Sequence, residues 1–227
     1  MSMSGSSTMG WLMDALPVFV SVGATANPQQ EEFVRAIEER LRSEGLVPYT
    51  VGRNTFAADA PLKTVTELLD KSSGAVVIAL ERSFFQDGVE RRGGPRESKL
   101  TNVKLPTPWN HIEAAMAYTR GLPLLVIVET GLKSEGLLEH GYDWYVQFVD
   151  LTRSALSSPE FNGVLASWKA KVESREKAAV TAIPPKATAD LTIGELVSGL
   201  RPSQLWGILA AIAALIGGAF ALGAKLH

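Results

Sequence analysis

The alternation of apolar and polar positions divides the chain into short, largely apolar runs separated by segments with a helical period. Residues 74–80 and 124–128 are apolar without a polar break, and 18–22 is apolar but for Ser21, the pattern of strands buried on both faces. Residues 46–51 and, more weakly, 144–149 extend that series. Between them lie amphipathic helices. The first starts at Asn27-Pro28, places Phe33, Ile37 and Leu41 on one face against Glu31, Glu32, Arg35, Glu38 and Arg42 on the other, and stops at Gly45. A second spans 62–71 with Val65, Leu68 and Leu69 inward. A third carries Trp109, Ile112, Glu113, Met116 and Ala117, and ends at the Arg120-Gly121-Leu122-Pro123 stop. A fourth runs from Pro159 to about Lys177. Strands alternating with helices predict an α/β fold, a flavodoxin-like parallel sheet of about five strands with helices on both faces. Residues 81–105 have no clear period and read as a long charged connection, more than a compact link needs.

In a parallel sheet ligands collect beyond the carboxyl ends of the strands, where the connectivity reverses. The 22–27 loop, the 52–61 loop, the 81–105 segment and the start of the Trp109 helix all gather there. Trp109 and Glu113 are four apart, near the first turn of one helix, and therefore share a face. An aromatic wall beside a carboxylate suits a flat ring and positive charge developing on a sugar carbon. The same residues also fit an acid complementing the helix dipole beside a packing Trp. Ser21 and Gly23 end the first strand beside this crevice, where close backbone approach to substrate and plain turn geometry are both served. His111 falls on another face of that helix, as a packing or solvent residue.

Composition narrows the choices. A chain of 227 residues, 46% hydrophobic and 20% charged, can bury a core and carry one domain plus an appendage. Its net charge of −2 and scattered Lys and Arg give no pull toward nucleic acid. With no cysteine, thiol nucleophiles, disulfides and Cys-ligated metals are excluded, and three histidines far apart predict no metal site. Residues 23–28, GATANP, lack the G-x-G-x-x-G pattern after the first strand, so a dinucleotide would bind as a substrate and no cofactor is expected.

The ends differ from the middle. Residues 1–15, rich in Ser, Gly and Met, are expected to be disordered, and 16–177 to form the α/β domain. Residues 178–203 read as a linker with a short helix. Residues 205–224, LWGILAAIAALIGGAFALGA, carry no charge and are long enough to cross a hydrocarbon core, so a transmembrane helix over 204–225 is expected. With only Lys225, Leu226 and His227 beyond the uncharged run, it would be a single-pass tail anchor that leaves the domain in the cytoplasm. Rows of small residues such as Ala210, Ala214 and Gly218 permit close helix association in a bilayer, or merely reflect abundant Ala.

Three stretches carry a family resemblance. PVFVSVG at 17–23, TELLDKSSGAVVIALERSFF at 66–85 and WNHIEAAMAYTRGLPLLVIV at 109–128 resemble a TIR domain, and more broadly the superfamily it shares with nucleoside 2-deoxyribosyltransferases. The likeness covers roughly residues 17–150, and the Trp-x-x-x-Glu helix is its most specific part. It implies that Glu113 is the catalytic residue of an NAD+ glycohydrolase that cuts the bond between nicotinamide and ribose. In the deoxyribosyltransferase relatives a helix glutamate is instead a nucleophile at the same anomeric carbon. Val22 departs from the aromatic or acidic residue common at that point in TIR domains. The resemblance also implies ligand or neighbour contacts for the loop carrying Arg53 and Phe56, and activity that grows on self-association, as in bacterial antiphage or immune-type effectors. On this reading Arg91, Arg92, Arg96 and Lys99 either form a lid offering cations to the NAD+ diphosphate or a solvated or assembly surface. Two other classes stay open, a non-enzymatic TIR-type assembly module at the membrane and a membrane-permeabilising tail governed by the soluble domain.

Overall fold

The computed structural model describes residues 15–181 apart from 57 and 59. Five parallel strands form the central sheet, in the order β2-β1-β3-β6-β7. They are β1 (Leu16–Val22), β2 (Leu46–Tyr49), β3 (Gly74–Ala79), β6 (Leu124–Glu129) and β7 (Tyr145–Val149). Four helices surround them, α1 (Pro28–Ser43), α2 (Pro61–Asp70), α3 (Pro108–Thr119) and α4 (Pro159–Thr181). The described part of the chain up to Ala178 belongs to one compact unit. Helix α4 continues to Thr181, past the expected linker start. The remainder of the expected linker, the expected transmembrane helix and residues 1–14 of the N-terminal stretch lie outside the described residues. Among the described residues no helix is long and apolar enough to cross a membrane.

Strand periodicity assigns the two faces of the sheet. Val18 and Val20 of β1 pack with Phe33, Ile37 and Leu41 of α1 and with Phe161, Trp168 and Val172 of α4. Phe19, pointing the other way, packs with Val65 and Leu69 of α2 and Ala114 and Ala117 of α3. Strand β3, central and covered on both sides, is buried at every position. Its first residue must be glycine, because a Cβ at Gly74 would stand 2.6 Å from Val172 Cγ2 and 3.1 Å from Trp168 Cζ2. Helix α1 starts where Asn27 accepts a 2.9 Å hydrogen bond from the Gln30 amide, with proline at the next position. Strand β2 ends earlier than the apolar run suggests, since the Thr50 carbonyl turns the chain by accepting from the amides of Arg53, Asn54 and Thr55.

The 81–105 connection is not irregular. Strands β4 (Ser83–Glu90) and β5 (Ser98–Leu105) form an antiparallel hairpin, separate from the main sheet, with Arg91–Glu97 at its tip. Left-handed backbone at Asn102 (φ 52°) interrupts the regular pairing opposite Gln86. The root is tied down by the Arg82 amide on the Leu105 carbonyl (2.8 Å) and by Lys104 on Glu81 (2.7 Å). Lys133, from the loop after β6, donates its amide to the Lys104 carbonyl (2.9 Å) and pairs its ammonium with Glu90 (2.8 Å). The hairpin thus rests on the carboxyl edge of the sheet, next to the start of α3.

Candidate functional site

The sheet order puts the reversal of connectivity between β1 and β3, since the chain leaves β1 toward β2 and leaves β3 toward β6. At their carboxyl ends, on the face covered by α3, three polar side chains meet. Ser21, the sixth residue of β1, is 1% exposed on the same face as Phe19. Asn110 and Glu113 are three apart on α3 and point to that strand end. One amide nitrogen, Asn110 Nδ2, donates to Ser21 Oγ (3.2 Å) and to the Ile78 carbonyl of β3 (3.3 Å). The Ser21 hydroxyl also acts on the Glu113 carboxyl, favouring its charged form.

Helix α3 is held in place at its start. Thr107 caps it, accepting from the Trp109 amide at 3.4 Å. The Thr107 methyl also closes on β1, because a Cβ at Gly23 would approach Thr107 Cγ2 to 2.9 Å. Gly23 therefore permits a close approach of the strand end to the helix cap. With the cap at Thr107, Glu113 falls in the second turn of α3, not near the first, so the helix dipole is a minor influence on it.

Glu113 is half-buried, and burial pushes its carboxyl above the usual carboxylate range while the Ser21 hydroxyl, which favours the charged form, opposes that shift. Among the described residues it forms no ion pair. An acid so placed is neither spent on a structural cation nor fully solvated, and it can answer positive charge brought by a ligand.

Trp109, 41% exposed, starts the same helix one turn nearer the rim. His111 faces away and packs on the turn at Gly136, where an added Cβ would meet His111 Nδ1 at 3.4 Å. Arg53 and Phe56 are not drawn into the Ser21–Asn110–Glu113 group by any hydrogen bond or ring contact. The Arg53 guanidinium is engaged by Glu31 (2.7 and 2.9 Å) and Glu38 (3.2 Å) of α1. Together with a hydrogen bond from Thr25, Arg53 lowers the Glu31 carboxyl to about 2. Phe56 is 78% exposed.

No protein-family model matches the chain. No curated protein matches it either. Among solved structures, the fold is similar to that of the Clostridium botulinum CMP N-glycosidase BcmB at a TM-score of 0.39 and 11% identity, covering 66% of this chain and 98% of that one.

On the α1 face, the carboxyl edge is braced by a second polar group. Buried Gln30 accepts from the Ala26 amide (2.7 Å) and donates to the Glu81 carbonyl (3.0 Å) and Glu129 (3.4 Å), while Glu129 accepts from the Glu81 amide (2.7 Å). This clip joins the loop after β1 to the loop after β3, the two lips of the crevice. Sequence patterning points to Ser21 and Glu113 but not to Asn110, Gln30 or Glu129. The one signal for Asn110 was a polar residue on an otherwise inward helix face, beside Ala114 and Ala117. Among the described residues, no group of three or more His, Asp or Glu side chains is placed to hold a metal ion.

Proposed function

We propose that the protein cleaves an N-glycosidic bond, with Glu113 as the catalytic carboxylate and the nicotinamide–ribose bond of NAD+ as the bond cut. The observation that carries this reading is Glu113 itself, a half-buried carboxyl at the reversal point of the sheet that has no cation partner among the described residues. A pyridinium leaving group needs no proton. The C–N bond breaks with its electron pair going to the ring nitrogen, which neutralises the pyridinium, and positive charge develops on the ribose carbon. The Glu113 carboxylate stabilises that charge, and in a partly desolvated site such stabilisation is stronger than in water. Water then adds to the same carbon and releases a proton, giving ADP-ribose and nicotinamide. Trp109, exposed at the rim, supplies a ring face for the base. Gly23 lets the backbone come close to the substrate, and the loop carrying Arg53 and Phe56 flanks the entrance.

In this reading the uncharged run at 205–224 anchors the protein in a bilayer, and crowding in two dimensions favours self-association. The test of the enzymatic reading is nicotinamide release from NAD+ by the full-length protein reconstituted in vesicles, set against Glu113→Gln. Release by the parent and its loss in the variant support the reading; equal release by both defeats it.

A second reading, an assembly module without catalysis, is favoured by one observation. Phe84 and Phe85 on the hairpin are about half exposed, 52% and 50%, and offer an apolar contact to a second copy. Self-association lost in a Phe84→Ser, Phe85→Ser double variant, with no nicotinamide released by either protein, would support it. Association unchanged by the double substitution would oppose it.

A further inference from the structure

We propose that the β4–β5 hairpin is a docking arm for an anionic lipid surface, with its arginine-rich tip on the headgroups and its apolar face at the acyl boundary. The proposal does not rest on the catalytic reading. Strands β4 and β5 pack chiefly on one another, and among the described residues none of theirs belongs to either hydrophobic core. Alternation along β4 puts Phe85 and Val89 on one face, each about half exposed, with Val103 opposite Phe85 and Lys99 opposite Val89. Phe84, on the other face, is as open. Apolar side chains left in water on a two-stranded arm add little to the fold, and such a patch marks a contact with something else.

The tip decides what that contact is. Residues 91–99 hold four cations, Arg91, Arg92, Arg96 and Lys99, against one acid, Glu97, a net charge of +3 in a chain whose net charge is −2. The acids beside them are already engaged, since Glu97 accepts from the Gly93 amide (2.6 Å) and Glu90 from Lys133 (2.8 Å). None of the four cations forms an ion pair among the described residues. The antiparallel register sets Val89 beside Lys99, so the cations and the apolar face adjoin at one end of the arm. Cations for lipid phosphates next to apolar area for the layer below are the two parts of an interfacial contact. Asp87, between Phe85 and Val89 on the same strand, keeps that contact at the interface and out of the hydrocarbon. A nucleic acid would answer the cations, but Val89 and Val103 offer no ring on which a base could stack. The uncharged run at 205–224, long enough to span a bilayer, is a separate reason to expect such a surface near the chain.

The chain has no cysteine, so Thr101→Cys, opposite Asp87 on the hairpin, accepts a polarity-sensitive dye at a single place in the full-length protein. With phosphatidylcholine vesicles, with and without phosphatidylglycerol, docking is read as a blue shift of the dye and its quenching by brominated lipid. The docked population should be at least about tenfold larger when phosphatidylglycerol is present. High salt should abolish the difference. Replacing the four cations together, by Arg91→Gln, Arg92→Gln, Arg96→Gln and Lys99→Gln, should abolish it as well. Phe85→Ser with Val89→Ser should remove the quenching by brominated lipid even in anionic vesicles. Should either multiple variant fail to fold by circular dichroism, the comparison of lipids and of salt in the labelled parent still decides. An equal response to both lipids, or no response to either, overturns the proposal. So does a blue shift that grows with protein concentration in the absence of lipid, which makes a second copy the occupant, or one produced by RNA and not by vesicles.

Discussion

Glu113 carries opposite consequences for stability and for activity. Its folded carboxyl holds a proton more tightly than the unfolded one, because burial raises it. Its contribution to stability is therefore present at low pH and is lost as pH rises through the folded value. Glu113→Gln should accordingly raise the melting temperature at neutral pH while lowering nicotinamide release by roughly 10²–10³-fold, as for loss of a transition-state charge stabiliser. Thermal melts at pH 4 and pH 7.5 check the first part, since the gain should shrink at the lower pH. The ionised form is the one that stabilises a cation, so the acid limb of the rate should lie above the ordinary carboxylate range. Glu31 behaves in the reverse sense. Arg53 and Thr25 hold it down to about 2, so its contribution is present above the unfolded value and is lost as pH falls toward 2. Both partners are partly solvated, and Arg53→Ala should cost about 1 kcal/mol or less at neutral pH, a loss that shrinks in acid as pH falls through about 2.

Between elements, the approach of β1 to α3 is the sensitive contact. Gly23→Ala must push Thr107 aside, and Thr107 caps the helix that carries Glu113. A displacement of about 1 Å at a reacting group can cost roughly 10²-fold in rate, so this variant should lose activity out of proportion to its change in unfolding midpoint. The hairpin makes a separate prediction. Its tip is exposed and carries Arg91, Arg92 and Arg96, so trypsin should nick the native protein there before it cuts the sheet or helices, as mass spectrometry of the first fragments would show. Strands β1, β3 and β6 were legible in the sequence because burial on both faces makes them largely apolar runs. Strands β4 and β5 were not. Residues such as Phe84, Phe85 and Val89 lie exposed among charged neighbours, so no alternation of buried and exposed positions marks these strands. Glu113 was legible from its spacing with Trp109. Asn110 was not, because its meaning depends on Ser21 and Ile78, distant in sequence. Arg53 reads as a loop cation in the sequence, and its partners Glu31 and Glu38 emerge only when α1 and the loop after β2 are side by side.

For the whole molecule, the fold gathers separate polar groups at one edge of a parallel sheet. The β1–β3 reversal supplies the position, Thr107 and Gly23 fix the helix, and the Gln30–Glu129 clip holds the two lips together. On the proposed reading the uncharged tail raises the local concentration of this edge at a membrane. Replacing residues 205–227 with a soluble oligomerising domain should then preserve nicotinamide release, whereas simple deletion should reduce it at low protein concentration. A membrane-permeabilising tail would lose its effect in both. The most direct measurement is release of nicotinamide from NAD+ by the full-length protein in vesicles, beside Glu113→Gln shown to be folded by circular dichroism. The account predicts steady release by the parent and almost none by the variant; release that persists in the variant, or a parent that releases nothing even when clustered, would contradict it.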